Sequence, residues 1–134
     1  MLQLVYFRTE KGKMEIKRFE YPMSVCKVTD YSKVNLEDAF VFLGGTDEER
    51  SLVCRTACVP DNTTARDDGW RMMRVQGVLD FSLVGILAKI SAVLAERRIG
   101  IFAVSTYNTD YILVKAENYE RALAALAGAG YQIV

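Results

Sequence analysis

From Ser82 onward the apolar residues fall at Leu83, Ile86, Leu87, Ile90, Val93 and Leu94. That three-and-four spacing lays a single apolar stripe along a helix, and a helix of this kind is stable only against a partner layer. It therefore constrains the chain more than any other feature. Asp80 and Ser82 stand where residues cap free amides, and Arg97 and Arg98 before Gly100 suit the far end by charge and by a glycine stop.

The partner layer can be read on either side. Trp70 to Gly77 reads as a strand, although Met72 and Met73 loosen its alternation. After the helix, Ile101 to Thr106 and Tyr111 to Lys115 are β-rich runs separated by Tyr107-Asn108-Thr109-Asp110, whose Asn and Asp suit a tight turn. A second helix follows, with Asn118 as its cap, Tyr119, Ala122, Leu123 and Leu126 on one face, and Gly128 and Gly130 at its end; Tyr131 to Val134 closes as a short strand. The predicted order from Trp70 is β-α-β-β-α-β, a ferredoxin-like α+β arrangement with two helices on one face of an antiparallel sheet.

The first half is predicted to be mostly strand. Leu2 to Arg8, Met14 to Phe19, Met23 to Val28, Ala39 to Leu43 and Ser51 to Cys54 carry the apolar pattern, and only Val34 to Asp38 hints at a helix. Val59 to Gly69 is polar and rich in turn formers, so it reads as a linker. The expected division is an N-terminal unit over 1–64 and a C-terminal unit over 65–134.

Composition excludes several functions. Seventeen basic residues balance seventeen acidic ones, so no net field draws the chain to nucleic acid or to an anionic membrane. No apolar run has the length of a membrane span and the start lacks the pattern of a signal peptide, which gives a cytoplasmic reading. With no histidine in the chain, Cys54 and Cys58 lack the remaining ligands of a usual zinc site, and neither Cys26 nor Ser105 has the base that nucleophilic catalysis requires. Buried, reduced thiols are expected, with no metal, no cofactor and no catalytic residue. Asp67 and Asp68 are assigned to solvent in the linker, and Trp70 to packing.

Leu79 to Ala88, followed by Ile101 to Lys115, resembles the small tandem ACT-domain proteins, and the segment Ser105-Thr106-Tyr107-Asn108-Thr109-Asp110 is similar to one in the ACT units of the animal cytosolic arginine sensor. The resemblance implies tandem ACT units, the first of them degenerate, and a regulatory protein that binds an amino acid at an interface between units. That sensor meets its ligand's cation with an acidic residue near the helix start, where this chain has Leu83-Val84, so arginine is not implied.

An amino acid needs donors for its carboxylate and an opposing charge for its ammonium. The helix start supplies the first, around Asp80, Phe81, Ser82, Leu83, Val84 and Gly85; the turn of Thr106, Tyr107, Asn108, Thr109 and Asp110 supplies the second through Asp110. Asp110 also suits an Asx-type turn bond, and Asp80 and Ser82 also suit plain capping. Exposed strand edges lead to the expectation of a homodimer. The rival reading is a module that docks a regulated protein partner and binds no small molecule.

Overall fold

The computed structural model describes residues 14–76 and 85–134. The chain forms two compact units, one of residues up to Phe19 together with Met73–Val134, the other of Glu20–Met72. Strands β1 (Glu15–Val28) and β4 (Thr63–Gln76) each contribute residues to both. The predicted segments Met14 to Phe19 and Met23 to Val28 are thus one strand, and Leu2 to Arg8 lies outside the described residues.

The unit that contains the C-terminus has the predicted order. The end of β4 leads toward helix α1 (Ile86–Glu96), then strands β5 (Phe102–Ser105) and β6 (Asp110–Lys115), a 3-10 turn at Ala116–Asn118, helix α2 (Tyr119–Gly128) and strand β7 (Gln132–Ile133). In the sheet β5 adjoins β6, β6 adjoins β4, β4 adjoins β1, and β7 pairs in parallel with the start of β1. Both helices pack on one core. Ile90 and Leu94 of α1 and Tyr119, Ala122 and Leu126 of α2 are fully buried there with Ile16, Met73, Ile112 and Val114. The described part of the Ser82 stripe therefore faces the sheet.

Where β7 stops, a side chain continues the ladder. Arg18 donates its amide to the Val134 carbonyl; at Phe19 the buried Tyr119 hydroxyl accepts from the amide at 3.0 Å and donates to the carbonyl at 3.2 Å. Both helices end in the same motif, a 6→1 bond over a left-handed residue. In α2 that residue is Gly130 (φ 105), with Tyr131 N–H bonded to the Leu126 carbonyl; in α1 it is Arg98 (φ 57), with Ile99 N–H bonded to the Leu94 carbonyl. The stop predicted at Gly100 is thus Arg98. At the start of α1 the cap residue is Gly85, left-handed and without a side-chain bond; Asp80 and Ser82 lie outside the described residues. Asn118 does precede α2, yet its carboxamide oxygen accepts from Arg121 at 3.0 Å and caps no amide.

The second unit contains β2 (Phe42–Gly45) and β3 (Arg50–Arg55), and its sheet runs β2-β3-β1-β4. Its helix expected at Val34 to Asp38 is absent. Asp30 and Asn35 use their side chains to accept from the amides of Ser32 (2.9 Å) and Glu37 (3.1 Å), which favours isolated turns over a helix. That looped segment covers a small core of Cys26, Val28, Leu52 and Cys54 through Tyr31, Val34 and Val41.

The stretch expected to be a linker is largely strand, because β4 begins at Thr63. Asp67 and Asp68 are accordingly not merely solvated. Asp68 accepts from Arg66 and from Ser24, whose fully buried hydroxyl also meets Thr56 Oγ at 2.8 Å; Asp67 accepts from the Trp70 indole at 3.3 Å. Paired backbone and satisfied side chains outweigh local turn propensity here.

Candidate functional site

The Thr106–Asp110 turn is built by its own side chains. Thr106 donates its amide to the Thr109 carbonyl at 2.8 Å, and its hydroxyl bonds the same carbonyl at 2.9 Å. Asp110, in register with Ser105 across the hairpin, accepts from the Ser105 hydroxyl at 2.6 Å. That bond fixes the rotamer of a half-buried carboxylate while a carboxylate retains further acceptor positions. The Thr109 hydroxyl donates to the Val75 carbonyl, so the turn is held to the end of β4, the strand from which the chain proceeds toward α1.

Beside the turn is a residue that sequence reasoning passed over. Arg74 holds its guanidinium 5.1 Å from the Phe19 ring centre and 5.8 Å from that of Tyr111, with Nη1 at 3.4 Å from the Tyr111 hydroxyl and Nη2 at 3.1 Å from Gln76 Oε1. Its one sequence signal is a cation placed between two methionines and a valine. Tyr107 is 84% exposed at the tip of the turn.

Of the residues proposed for a ligand, Thr106, Tyr107, Asn108, Thr109 and Asp110 come together at this turn, whereas Asp80, Phe81, Ser82, Leu83 and Val84 lie outside the described residues. Gly85 is exposed and left-handed (φ 79), and among the described residues no atom lies within 4 Å of a β-carbon built on it.

The thiols are held protonated. Cys54 is pushed up to about 12, first by burial and then by the neighbouring Cys26 and Cys58. Burial raises Cys26 as well, and Cys58 is raised by burial and by the Asp38 side chain. None is an activated nucleophile, because the thiolate is the reactive form. Among the described residues no group of three His, Cys, Asp or Glu side chains could hold a metal ion, and no helix is long and apolar enough to cross a membrane.

The first hairpin repeats the second. Its turn opens with Thr46, whose amide donates to the Glu49 carbonyl at 2.9 Å and whose hydroxyl accepts from the amides of Glu48 and Glu49, both at 3.1 Å. Phe42↔Val53 and Leu43↔Leu52 pair as Phe102↔Leu113 and Ala103↔Ile112 do. Phe-x-x-x-Thr, present twice, was the signal in the sequence.

Residues 65–128 match the family model of an ACT domain. Along nearly the whole chain, the structure is similar to that of a protein from Agobacterium tumefaciens, with 27% identity, a TM-score of 0.81, and 91% of this chain and 92% of that one covered. It also resembles the ligand-free regulatory subunit of aspartate kinase from Thermus thermophilus, with 14% identity, a TM-score of 0.63, and 89% and 99% of the two chains covered. A Vibrio cholerae protein of unknown function gives 20% identity and a TM-score of 0.66 over 91% of this chain and 96% of that one. The ferredoxin-like α+β fold of an ACT domain, read from the helix stripe and the hairpin, is the fold observed.

Proposed function

We propose that the chain is a non-catalytic regulatory protein of tandem ACT type, with a degenerate first unit over 1–64 and an ACT domain over 65–134, and that the second unit binds an amino acid. The ligand's ammonium group meets Asp110, and its carboxylate meets the segment Asp80 to Gly85 that precedes α1 in the sequence. One observation carries this reading. The Asp110 carboxylate is oriented by Ser105 at a turn that Thr109 fastens to the end of β4, and that strand is the one leading to the helix. The match of residues 65–128 to a family of regulatory ligand-binding domains supports it.

Two or three charge-assisted hydrogen bonds contribute roughly 1.5–3 kcal/mol each, and the entropy lost on association offsets part of that. Affinity then falls at roughly micromolar to millimolar, the range of metabolite pools in the cytoplasm. Among the described residues β5 is an edge strand, which favours a homodimer, and light scattering that returns a monomer at high protein concentration would remove that part of the reading.

The test is thermal unfolding with each of the twenty amino acids at millimolar concentration, for the wild type and for Asp110→Ala. Since a ligand that binds only the native state raises its melting temperature, a selective rise that the variant loses supports the site. No rise with any amino acid defeats it. It would favour instead a module that docks a regulated partner, the reading to which the exposed Tyr107 lends itself.

A further inference from the structure

In the unit that contains the C-terminus, Ile16, Met73, Val75 and Ile112 point from the sheet into the core beneath the two helices. Strand alternation then sends Glu15, Lys17 and Phe19 of β1, Arg74 and Gln76 of β4 and Tyr111 of β6 to the opposite face, with β4 lying between the other two strands. Asp110 alternates with Tyr111 and so belongs to the helix side. The two groups are on opposite faces of the sheet.

Two cations share one aromatic ring on this face. Arg74 holds its guanidinium 5.1 Å and Lys17 its ammonium 6.0 Å from the Phe19 ring centre, and both side chains are half-buried. Among the described residues neither forms an ion pair, whereas Arg18, Lys33, Arg66 and Arg71 each do. The acid of the same face, Glu15, is held off by Gln76. Its Nε2 donates to Glu15 Oε1 at 3.5 Å, and its Oε1 accepts from Arg74 Nε at 3.3 Å and Nη2 at 3.1 Å. With Nη1 donating to the Tyr111 hydroxyl at 3.4 Å, Arg74 has used three of its five N–H groups. One N–H is left on each terminal nitrogen, the paired donors that hold two oxygens of one oxyanion. Two like charges in a partly desolvated setting repel, and a bound dianion removes that repulsion.

We propose that Lys17 and Arg74 form an anion site on the helix-free face and that it takes a phosphoryl dianion, either free phosphate or the phosphate group of a small monoester. The guanidinium takes two oxygens and the Lys17 ammonium, a compact point charge, takes a third. Phe19 and Tyr111 fix the plane of the guanidinium, and Gln76 fixes its rotation. A single carboxylate would fill the Arg74 donors and leave the Lys17 charge unmatched, so the dianion is the better fit. The site is independent of the Asp110 turn.

Isothermal titration of the full chain at low salt, in a buffer free of phosphate, tests it with inorganic phosphate, glycerol phosphate and acetate. Saturable binding of inorganic phosphate or glycerol phosphate is expected, with acetate weaker by about tenfold or more, the loss of one charged contact. Binding should weaken as the pH falls below about 6, where the dianion takes up a proton. Whichever of the two phosphates binds more tightly identifies the source of the group. Lys17→Gln should weaken binding several-fold, as should Arg74→Lys, which keeps the charge and loses the paired donors; Asp110→Ala should leave it unchanged. Arg74→Lys and Lys17→Gln serve as the deciding variants because each retains a long side chain to pack on Phe19. Absence of saturable binding of both phosphates to the wild type would overturn the proposal, as would acetate binding as tightly as they do. So would affinity that survives both variants, or affinity that only Asp110→Ala removes, which would assign the anion to the other face.

Discussion

The hairpin Phe42–Arg55 and the hairpin Phe102–Lys115 agree in register, in the threonine that opens each turn, and in three consecutive buried strand residues, Leu52-Val53-Cys54 and Ile112-Leu113-Val114. Each then enters a 3-10 turn with nearly the same backbone, Arg55 at φ −61 and ψ 140, Lys115 at φ −62 and ψ 142. They part at the next step. After Asn118 the chain continues into α2, whereas Val59 is held extended ahead of Pro60, which disfavours the helical region for its predecessor. One hairpin is covered by two helices and the other by a loop. The charges differ too, since Arg50 stands where the second hairpin has Asp110, and Asp47-Glu48-Glu49 where it has Tyr107-Asn108-Thr109. A shared scaffold thus carries two turns of opposite chemistry.

The largest expected effect tests the cover. Leu52 and Ile112 occupy matched positions and both are fully buried. Truncation of either to alanine costs about 2–5 kcal/mol. Ile112→Ala falls toward the upper end because packed helices relax little, and Leu52→Ala toward the lower end because a loop can settle into the gap. Urea unfolding that gives the reverse order would break the comparison.

Next comes a difference in pH response. Cys54 is matched by Val114, which has no proton to lose. The folded protein keeps the Cys54 proton up to about pH 12, while the unfolded chain releases it near 9.0, so this contribution is complete below about 9 and is lost as the pH rises toward 12. The slope is at most about 1.4 kcal/mol per pH unit. Cys54→Val should flatten the alkaline loss, as read by denaturation at about pH 8 and about pH 10.5; an unchanged loss would show that other groups cause it.

The threonines sharpen the parallel. Thr46 Oγ accepts two amides and Thr106 Oγ accepts one, at 3.4 Å. Thr46→Ala should cost about 1–1.5 kcal/mol and Thr106→Ala about 0.5–1, measured as the shift in unfolding midpoint. Equal costs would mean that the second amide bond adds nothing. The smallest effect is that of Arg50→Ala, about 0.5 kcal/mol or less, since its bonds are solvent-exposed. A larger loss would assign Arg50 a structural part in keeping three acids together.

The unequal cover also explains what could be read from the residues alone. The C-terminal unit was legible because its two helices bury stripes of consistent period against alternating strands, and those patterns survive without tertiary knowledge. The cover of the first hairpin has no period. It depends on particular bonds, such as Tyr31 to the Ser51 carbonyl and Asn62 to Thr29 and Asp30, which no local pattern announces. Thr63 to Gly69 read as a linker for a similar reason: its side chains are polar and exposed, and its strand character lies in backbone pairing. At the candidate site, the turn from Thr106 to Asp110 was legible, but the Ser105 bond that orients its acid and the placement of Arg74 between two rings required the register of three strands.

The Tyr119 phenol carries a further consequence, for hydrogen exchange. At Phe19 the amide proton is protected by a side chain from α2. Its exchange with solvent deuterium therefore follows the docking of that helix, while the amides of Lys27 and other residues along β1 follow the opening of the sheet. One backbone proton at position 19 becomes a clock for the helix layer, and a ligand that tightens the layer would slow it before any change in shape is visible.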